Sequence, residues 1–293
     1  MNALELKNVG KAYKGFSLKD VSFDLPEGYI MGFIGENGAG KSTTIKAILG
    51  LVHSEGDICV LGRDKKEITA VKEHIGVVLE EATFPDQLNL LDVESILRGV
   101  YKTWDQARFL ALTDTFRLDR KKKIKDYSRG MKMKLALAAA LSHDSRLLIL
   151  RRYLLDRKST RLLILDEPTA GLDPVVRDEV LDMLLEFIQQ PDHTVLISSH
   201  IISDLERVCD YVTFIHEGRI LFSMSKEALS EEFGIFHGGE AEVAALPREA
   251  LCGLRRGKFG CEALVRRNCM RGNIPLEPAG IEDIMVLFVK GVN

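Results

Sequence analysis

One short segment holds the residue types that a phosphate-binding loop needs. The segment runs Gly35, Glu36, Asn37, Gly38, Ala39, Gly40, Lys41 and Ser42, with Thr43 next. It fits the pattern G-x-x-x-x-G-K-[ST], in which glycines let successive backbone N–H groups point at phosphate oxygens. Lys41 would reach the β- and γ-phosphates of a nucleotide and act in catalysis, and the Ser42 hydroxyl would bind Mg²⁺. The pattern predicts a nucleotide-phosphate site with a magnesium ion.

A second element supplies two carboxylates. The apolar run 162–165 leads directly into Asp166 and Glu167. Ligands of open α/β sheets bind at the carboxyl ends of the strands. We therefore expect Asp166 to hold Mg²⁺ through water and Glu167 to polarise the attacking water. Taken alone, these residues would be a buried strand that ends in a polar turn, and the phosphate loop is what favours the catalytic interpretation.

Hydrophobic patterning predicts the elements that must position these groups. It predicts edge strands at 4–9 and 18–25, buried strands at 29–34, 76–79, 162–165 and 194–198, and helices at 42–49, 132–141, 175–189 and 281–289. Strands that alternate with helices indicate an α/β fold with a parallel sheet. After about residue 225 the composition becomes richer in glycine and arginine, which is consistent with a small appended domain.

Composition narrows the classes of function. The chain has 293 residues, of which 46% are hydrophobic, and its net charge of −3 argues against a general nucleic-acid binder. Its five cysteines show neither a CxxC pair nor zinc-site spacing, so we expect reduced cytosolic thiols. The first residues lack an apolar signal core, and no apolar run approaches the roughly 20 residues of a membrane helix. Any membrane role is therefore expected to come through a partner.

With these motifs in hand, the chain resembles the ATP-binding cassette (ABC) ATPases over about residues 4–223. Residues 127–131, Tyr-Ser-Arg-Gly-Met, lie where that family has its LSGGQ signature, immediately before a predicted helix. Ser128 and Gly130 match the signature, whereas the residues on either side of Gly130 do not. Residues 170–173, Ala-Gly-Leu-Asp, resemble the family's D-loop. The ordered set of motifs is far more specific than any one of them.

The resemblance implies further site residues. It implies that ATP is the nucleotide and that Tyr13 stacks on the adenine. Ser128 and Gly130 would contact the γ-phosphate held by the opposite subunit of a dimer, and Asp173 would bind nucleotide at the same interface. Thr43, next to the phosphate loop, would also bind the nucleotide. His200, which ends the run Ile-Ser-Ser-His, resembles the family's switch histidine and would take part in catalysis.

The resemblance also implies an architecture. This is an α/β P-loop NTPase (RecA-like) fold with a parallel-sheet core, an antiparallel β subdomain and a helical signature subdomain at about 83–145. The ABC ATPase domain would span 1–225, and residues 226–293 would form a small C-terminal α+β domain. The implied partners are a second ABC subunit, in a homodimer or a heterodimer, and a separate integral-membrane permease, with no nucleic acid. Such a protein would work at the cytoplasmic face of the membrane, and details resemble the Firmicutes branch that includes the Ytr-like and bacitracin-export ATPases.

Two features depart from the family. The glutamine of the family's Q-loop, a metal ligand, aligns with Glu80, with Glu81 as the neighbouring candidate. In addition, the run Arg-Leu-Leu-Ile-Leu occurs identically at 146–150 and at 161–165. We therefore interpret about 151–161 as an insertion, either natural or an error in the source sequence. We expect 162–165 to form the core strand, because the first copy would put Arg151 and Arg152 in the places of the two acids.

Three functions remain open on the sequence alone. The leading one is an ATP-hydrolysing subunit of an ABC transporter. The second is a catalytically impaired or regulatory cassette, for which the insertion and Glu80 would be responsible. The third is an ABC protein that acts on ribosomes or DNA, which a single cassette without a heptad run argues against.

Overall fold

The computed structural model describes residues 1–80, 84–143, 161–258, 260–270 and 274–291. The strands are β1 (Asn2–Tyr13), β2 (Phe16–Pro26), β3 (Ile30–Ile34), β4 (Glu55–Val60), β5 (Arg63–Asp64), β6 (Ile75–Val78), β7 (Leu162–Asp166), β8 (Thr194–Ser199), β9 (Tyr211–His216), β10 (Arg219–Ser225), β11 (Phe233–Gly238), β12 (Leu251–Gly257), β13 (Gly260–Arg266) and β14 (Glu277–Pro278). The helices are α1 (Lys41–Ile48), α2 (Leu90–Val100), α3 (Gln106–Thr115), α4 (Arg129–Ala140), α5 (Pro174–Phe187), α6 (Ile202–Val208), α7 (Lys226–Glu232), α8 (Glu240–Ala244) and α9 (Ile281–Gly291).

The central sheet carries the strands that precede the phosphate loop and the two acids. Its order is β10-β9-β3-β8-β7-β6, and every neighbouring pair is parallel except the antiparallel pair at the β10 edge. Strands β3, β7 and β8 are buried along their whole length, as their continuous apolar sequences predict for a parallel sheet covered on both faces. The predicted α/β fold with a parallel-sheet core is confirmed.

The predicted antiparallel β subdomain is a second sheet, of order β2-β1-β4-β5. Alternate residues of β1 and β2 face inward and pack against the central sheet. Leu4, Leu6 and Phe23 belong to the same buried cluster as Met31 and Phe33 of β3. This packing fixes the N-terminal sheet beside the end of β3, where the phosphate loop begins.

Helices α2, α3 and α4 form a separate helical layer with its own small core around Phe109 and Leu135. Asn89 caps α2 by accepting hydrogen bonds from Leu91 N and Asp92 N, in a capping box with Asp92. The predicted helix at 132–141 begins earlier, at Arg129, because Ser128 caps it. The part of the chain described here includes no helix that is long and apolar enough to cross a membrane.

The C-terminal residues form a third sheet, of order β12-β13-β11-β14, together with α9. Strand β10 ends at Ser225 and α7 begins at Lys226, where the sequence predicts a domain boundary. However, Phe233 and Leu287 pack in one buried cluster with Phe214 and Phe222 of the central sheet. The two parts therefore share a hydrophobic core, and the division at 225/226 stays a prediction.

The second copy of the repeated run occupies the centre of the sheet. It forms β7, between β6 and β8, as expected. Arg161 anchors its start, because Arg161 N donates to His74 O at 2.9 Å and its guanidinium lies 2.8 Å from Glu27 Oε1. The first copy and residues 151–160 lie outside the described residues, so the predicted extrusion of the insertion stays a prediction.

Candidate active site

The phosphate loop connects β3 to α1 and lies close to β9. Gly40 has φ = 117°, in the left-handed region that only glycine adopts readily. A Cβ on Gly35 would lie 2.5 Å from the carbonyl oxygen of Ile215, so a side chain there would displace the loop. The predicted loop therefore has the shape that its glycines require, with α1 starting at Lys41.

The ammonium group of Lys41 lies within the loop and is 6% exposed. Its Nζ donates hydrogen bonds to Gly35 O at 2.7 Å and to Glu36 O at 3.3 Å. It also forms an ion pair with Glu167 Oε1 at 3.2 Å. Two predicted catalytic residues, 126 positions apart in sequence (167 minus 41), are thus in direct contact.

Strands β7 and β8 place the two acids. Asp166 lies opposite Ser198 in the parallel register, and Ser198 Oγ donates a hydrogen bond of 2.6 Å to Asp166 Oδ1. Glu167 N donates to the same Ser198 Oγ at 3.0 Å. Glu167 has φ = 52°, which is uncommon for a residue with a Cβ, and this bend directs its side chain away from the strand.

His200 completes the surroundings of Glu167. Its Nδ1 lies 2.7 Å from Glu167 Oε2, within hydrogen-bond distance. His200 N donates to the same oxygen at 3.3 Å. The imidazole is 46% exposed, whereas the Glu167 carboxylate is 6% exposed. Lys41 and His200 therefore hold the two oxygens of Glu167 from different sides.

Tyr13 borders the entrance to the phosphate loop. It lines a cleft of about 610 Å³ together with Phe16, Glu217 and the loop residues from Glu36 to Ala39. Its ring is 46% exposed, and Lys11 Nζ lies 5.3 Å from the ring centroid. An exposed ring beside the phosphate loop is available for stacking on a base. The cleft connects the two parts of the predicted nucleotide site.

The signature loop, residues 127–131, lies against the D-loop of the same chain. Ser128 is exposed, and its Oγ accepts the hydrogen bond from Met131 N at 3.2 Å that caps α4. Gly130 is buried, and a Cβ there would lie 3.0 Å from Val176 Cγ1. Asp173 caps α5 by accepting from Val175 N and Val176 N, each at 3.1 Å. Within the described ranges, no hydrogen bond or ion pair joins Ser128 or Asp173 to the group around Glu167.

The predicted metal ligands provide oxygen atoms. Asp166 is 2% exposed at the end of β7, Ser42 is half-buried in the first turn of α1, and Glu80 is exposed in the turn after β6. Residue 81, the alternative to Glu80, lies outside the described residues. No group of three or more His, Cys, Asp or Glu side chains in the described ranges could hold a metal. Such a sparse set of protein oxygens suits Mg²⁺, which keeps several waters and binds substrate phosphates.

Sequence reasoning missed two residues of this region. Ser198, which contacts both acids, has a signal in the sequence: it lies two residues before His200 on a predicted strand. Arg129 is, in the sequence, only a mismatch to the signature. Its Nη1 lies 2.5 Å from where a Cβ on Gly171 would be, so the guanidinium covers the D-loop glycine. No sequence pattern signals that contact, because it depends on how α4 and α5 meet.

Comparison with known proteins identifies the family. The family model described as "ABC transporter" matches residues 18–150. The ABC transporter ATP-binding protein YhcH of Bacillus subtilis, itself uncharacterized, is 35% identical over 227 residues, which cover 74% of this chain and 68% of that protein. The chain belongs to the ATP-binding proteins of ABC transporters. It is therefore an ATP-binding and ATP-hydrolysing subunit of such a transporter.

Other members of the ABC family support the same assignment. The lantibiotic transport ATP-binding protein SrtF of Streptococcus pyogenes is 34% identical over 225 residues, which cover 74% of this chain and 89% of SrtF. A solved structure described as the ATP-binding subunit of an ABC transporter has a TM-score of 0.65 and 27% identity, and the match covers 78% of this chain and 91% of that one. ABC ATP-binding subunits dimerise and work with membrane permeases.

The residues that match the family model include the first copy of the repeated run, whereas the central sheet contains the second copy. The ABC model match ends at Leu150, the last residue of the first copy. The strand in the sheet is the second copy, Leu162–Asp166. Both copies carry the same apolar pattern, so only the residues after each copy distinguish them: Arg151 after the first, and the acid pair after the second. The placement of the second copy brings Asp166 and Glu167 to the phosphate loop.

Proposed function

We propose that two copies of this cassette, or this cassette and a related one, close head-to-tail around two ATP–Mg²⁺. Hydrolysis would reopen the pair and drive a separate permease between its inward and outward states. The observation that carries this proposal is the contact of Glu167 with both Lys41 and His200 beside the phosphate loop. A lysine that binds phosphates and an acid that polarises water are groups that phosphoryl transfer to water uses, and His200 lies in contact with that acid.

Nucleotide binding would rearrange the lysine. The charge of Lys41 is balanced by Glu167 and by the carbonyl oxygens of Gly35 and Glu36. The β- and γ-phosphates would compete for the same ammonium group, because they offer more negative charge at the loop. Tyr13 would stack on the adenine at the other end of the cleft. ATP would therefore release Glu167 from Lys41 and leave it free to accept a proton.

Glu167 would act as the general base. Its carboxylate would take a proton from the attacking water, while His200 keeps the other oxygen in place. Ser42 and Asp166 would hold Mg²⁺, with Glu80 as a third ligand, and the ion would neutralise charge on the β- and γ-phosphates. Burial of Glu167 strengthens its attraction to the neighbouring Lys41 ammonium group compared with that of an exposed acid.

The second half of each site would come from the partner cassette. The exposed Ser128 and the N-terminal backbone of α4 offer hydrogen-bond donors that no described residue outside the helix uses. A helix N-terminus favours an anion such as the γ-phosphate. Asp173 would lie at the same interface, next to the exposed Val175. This division of each site between two chains makes hydrolysis depend on dimer closure.

The permease would dock on the helical layer. Helix α2 exposes Leu91, Ile96 and Val100, which are 45%, 50% and 67% exposed. In the sequence, Glu80 lies ten residues before α2. A movement of Glu80 on nucleotide binding would therefore be passed to the exposed face of α2 along a short stretch of chain. Such docking would place the protein at the cytoplasmic face of the membrane. We assign export as the direction, because the sequence resembles the branch that includes the bacitracin-export ATPases.

The direct test is ATP turnover by the purified full chain and by Glu167→Gln. The parent should hydrolyse ATP in the presence of Mg²⁺, and the variant should bind ATP but lose turnover by about 100-fold or more, since the water loses its base. Equal turnover by both proteins would refute the role of Glu167. Absence of turnover in the parent, with nucleotide binding retained, would instead indicate a regulatory cassette.

A further inference from the structure

Ser198 connects the two acids of the site through a single hydroxyl group. It lies on β8, fully buried, opposite Asp166 on β7. The hydroxyl donates to Asp166 Oδ1 at 2.6 Å and accepts from Glu167 N at 3.0 Å. The hydroxyl group is thus the donor in one hydrogen bond and the acceptor in the other, and it joins the side chain of Asp166 to the backbone of Glu167.

The bond to Glu167 supports an uncommon backbone conformation. Glu167 has φ = 52°, and its N–H points at β8, where it donates to the carbonyl oxygen of Ser198 at 3.2 Å as well as to Oγ. Residues with a Cβ are held in this region only where their surroundings determine it. The bend is what brings the Glu167 side chain to Lys41 and His200. Ser198 therefore holds the base in place through its backbone.

The bond to Asp166 fixes a carboxylate. Oδ1 of Asp166 is occupied by the Ser198 hydroxyl, and no described residue donates a hydrogen bond to Oδ2. With one oxygen held, the other keeps a constant direction at the end of β7. Partners of this kind commonly determine how well a carboxylate serves a metal ion, because they orient it before the ion arrives.

We propose that Ser198 is a positioning residue for ATP hydrolysis. It holds Asp166 ready for Mg²⁺ and Glu167 ready for the attacking water at the same time. The proposal rests on the assignment of metal binding to Asp166 and of base catalysis to Glu167. In addition, a change at Ser198 should impair metal binding by Asp166 and base catalysis by Glu167 together, because the same side chain on β8 holds both acids.

The neighbouring Ser199 provides a matched control. It is equally buried on the same strand, but its Oγ accepts from Ile201 N at 2.9 Å and contacts neither acid. Ser199→Ala and Ser198→Ala each remove one buried hydroxyl from β8. Any general effect of that loss on the strand should appear in both variants.

The test measures the steady-state kinetics of full-length Ser198→Ala, Ser199→Ala and the parent. For Ser198→Ala we expect kcat to fall by about 10-fold or more, the size usual for a partner of a metal ligand. The KM for ATP with Mg²⁺ should rise by about the factor by which analogue binding with Mg²⁺ weakens, in addition to the fall in kcat. Ser199→Ala should keep the kcat of the parent. Ser198→Cys, with a weaker donor of similar shape, should lie between Ser198→Ala and the parent.

A binding measurement separates positioning from simple damage to the fold. The affinity for a non-hydrolysable ATP analogue is measured with Mg²⁺ and again with EDTA. With EDTA, Ser198→Ala should bind like the parent, and with Mg²⁺ it should bind about 10-fold more weakly. Equal weakening under both conditions, or kinetics of Ser198→Ala that match those of Ser199→Ala, would overturn the proposal.

Two further variants distinguish this proposal from the one it rests on. Asp166→Asn and Glu167→Gln are measured alongside. If both keep the turnover of the parent, the assignment of the acids is wrong. If both lose turnover while Ser198→Ala keeps it, the acids are correctly assigned and the role of Ser198 alone is refuted.

Discussion

Two regions of the molecule differ in how many of their functional groups are bonded within a single chain. The acid cluster, made of Lys41, Asp166, Glu167, Ser198 and His200, is internally bonded, with each member in contact with another. The signature loop, residues 127–131, presents Ser128 to solvent, and among the described residues that side chain bonds only within its own helix terminus.

This difference arises from where the two regions lie. The acid cluster lies at the ends of buried parallel strands, where uncompensated charges are costly and must be paired. The signature loop lies at the start of α4, where Ser128 and Arg129 are exposed and water can satisfy their donors. The acid cluster is therefore held together by contacts within one chain, and the exposed start of α4 is suited to contact with a second chain. Variants in the two regions should accordingly fail in different ways.

The largest expected effect is on nucleotide binding, from Lys41→Ala. A hydrogen bond to a charged group contributes about 1.5–3 kcal/mol, so ATP affinity should fall by roughly 10- to 100-fold. The variant also leaves Glu167 buried without its cation, and we expect a lower melting temperature as well. Equilibrium binding of labelled ATP to the monomer, with Lys46→Ala as the control, checks the prediction. Unchanged affinity would show that Lys41 serves only to neutralise Glu167.

The signature loop should show the opposite pattern. In Gly130→Ala the new methyl group would lie 3.0 Å from Val176 Cγ1, so Val176 or the start of α4 must shift by a few tenths of an ångström at the surface that we propose faces a partner. ATP binding by the separate chain should stay within about 2-fold of the parent, while turnover should fall by about 10-fold or more, as for an oriented group near the phosphates. Loss of monomer binding in Gly130→Ala would mean that the two regions form one site within a single chain.

The smallest effect concerns the strand beneath the acid cluster. Two identical Leu-Leu-Ile-Leu runs compete for one position, and deletion of residues 151–165 leaves a single copy joined to Asp166. We expect the melting temperature to rise by about 2–4 °C for each kcal/mol gained, with ATPase activity preserved. Thermal unfolding and ATP turnover of the deletion variant test this. A lower melting temperature would indicate that the inserted residues contribute to the fold.

The sequence alone predicts the central sheet, and it singles out every member of the acid cluster except Ser198. Strands β3, β7 and β8 are continuous apolar runs, and each leads into residues whose catalytic roles are part of our proposal. The choice between the two repeated runs was also predictable, because two arginines would otherwise replace the acids. These inferences depend on local patterns and on the rule that places ligands at strand ends.

Contacts between elements could not be predicted in this way. Ser198 bonds to Asp166 because of the register of β7 and β8, and register is not readable from one strand. Arg129 covers Gly171 because of how two helices meet. The C-terminal sheet shares a core with the central sheet, although composition suggested a separate domain. Each depends on packing between segments that are distant in sequence.

The central claim, that each active site is divided between two chains, has a direct test. Glu167→Gln and Gly130→Ala are each purified, mixed in equal amounts without nucleotide, and then given ATP and Mg²⁺. Each variant alone should be nearly inactive. Mixed pairs contain one site with an intact Glu167 and an intact signature loop. About half of randomly formed pairs are mixed, and each mixed pair has one intact site out of two. Turnover should therefore return to roughly a quarter of the parent value. A mixture no more active than the mean of the two separate variants would contradict the account.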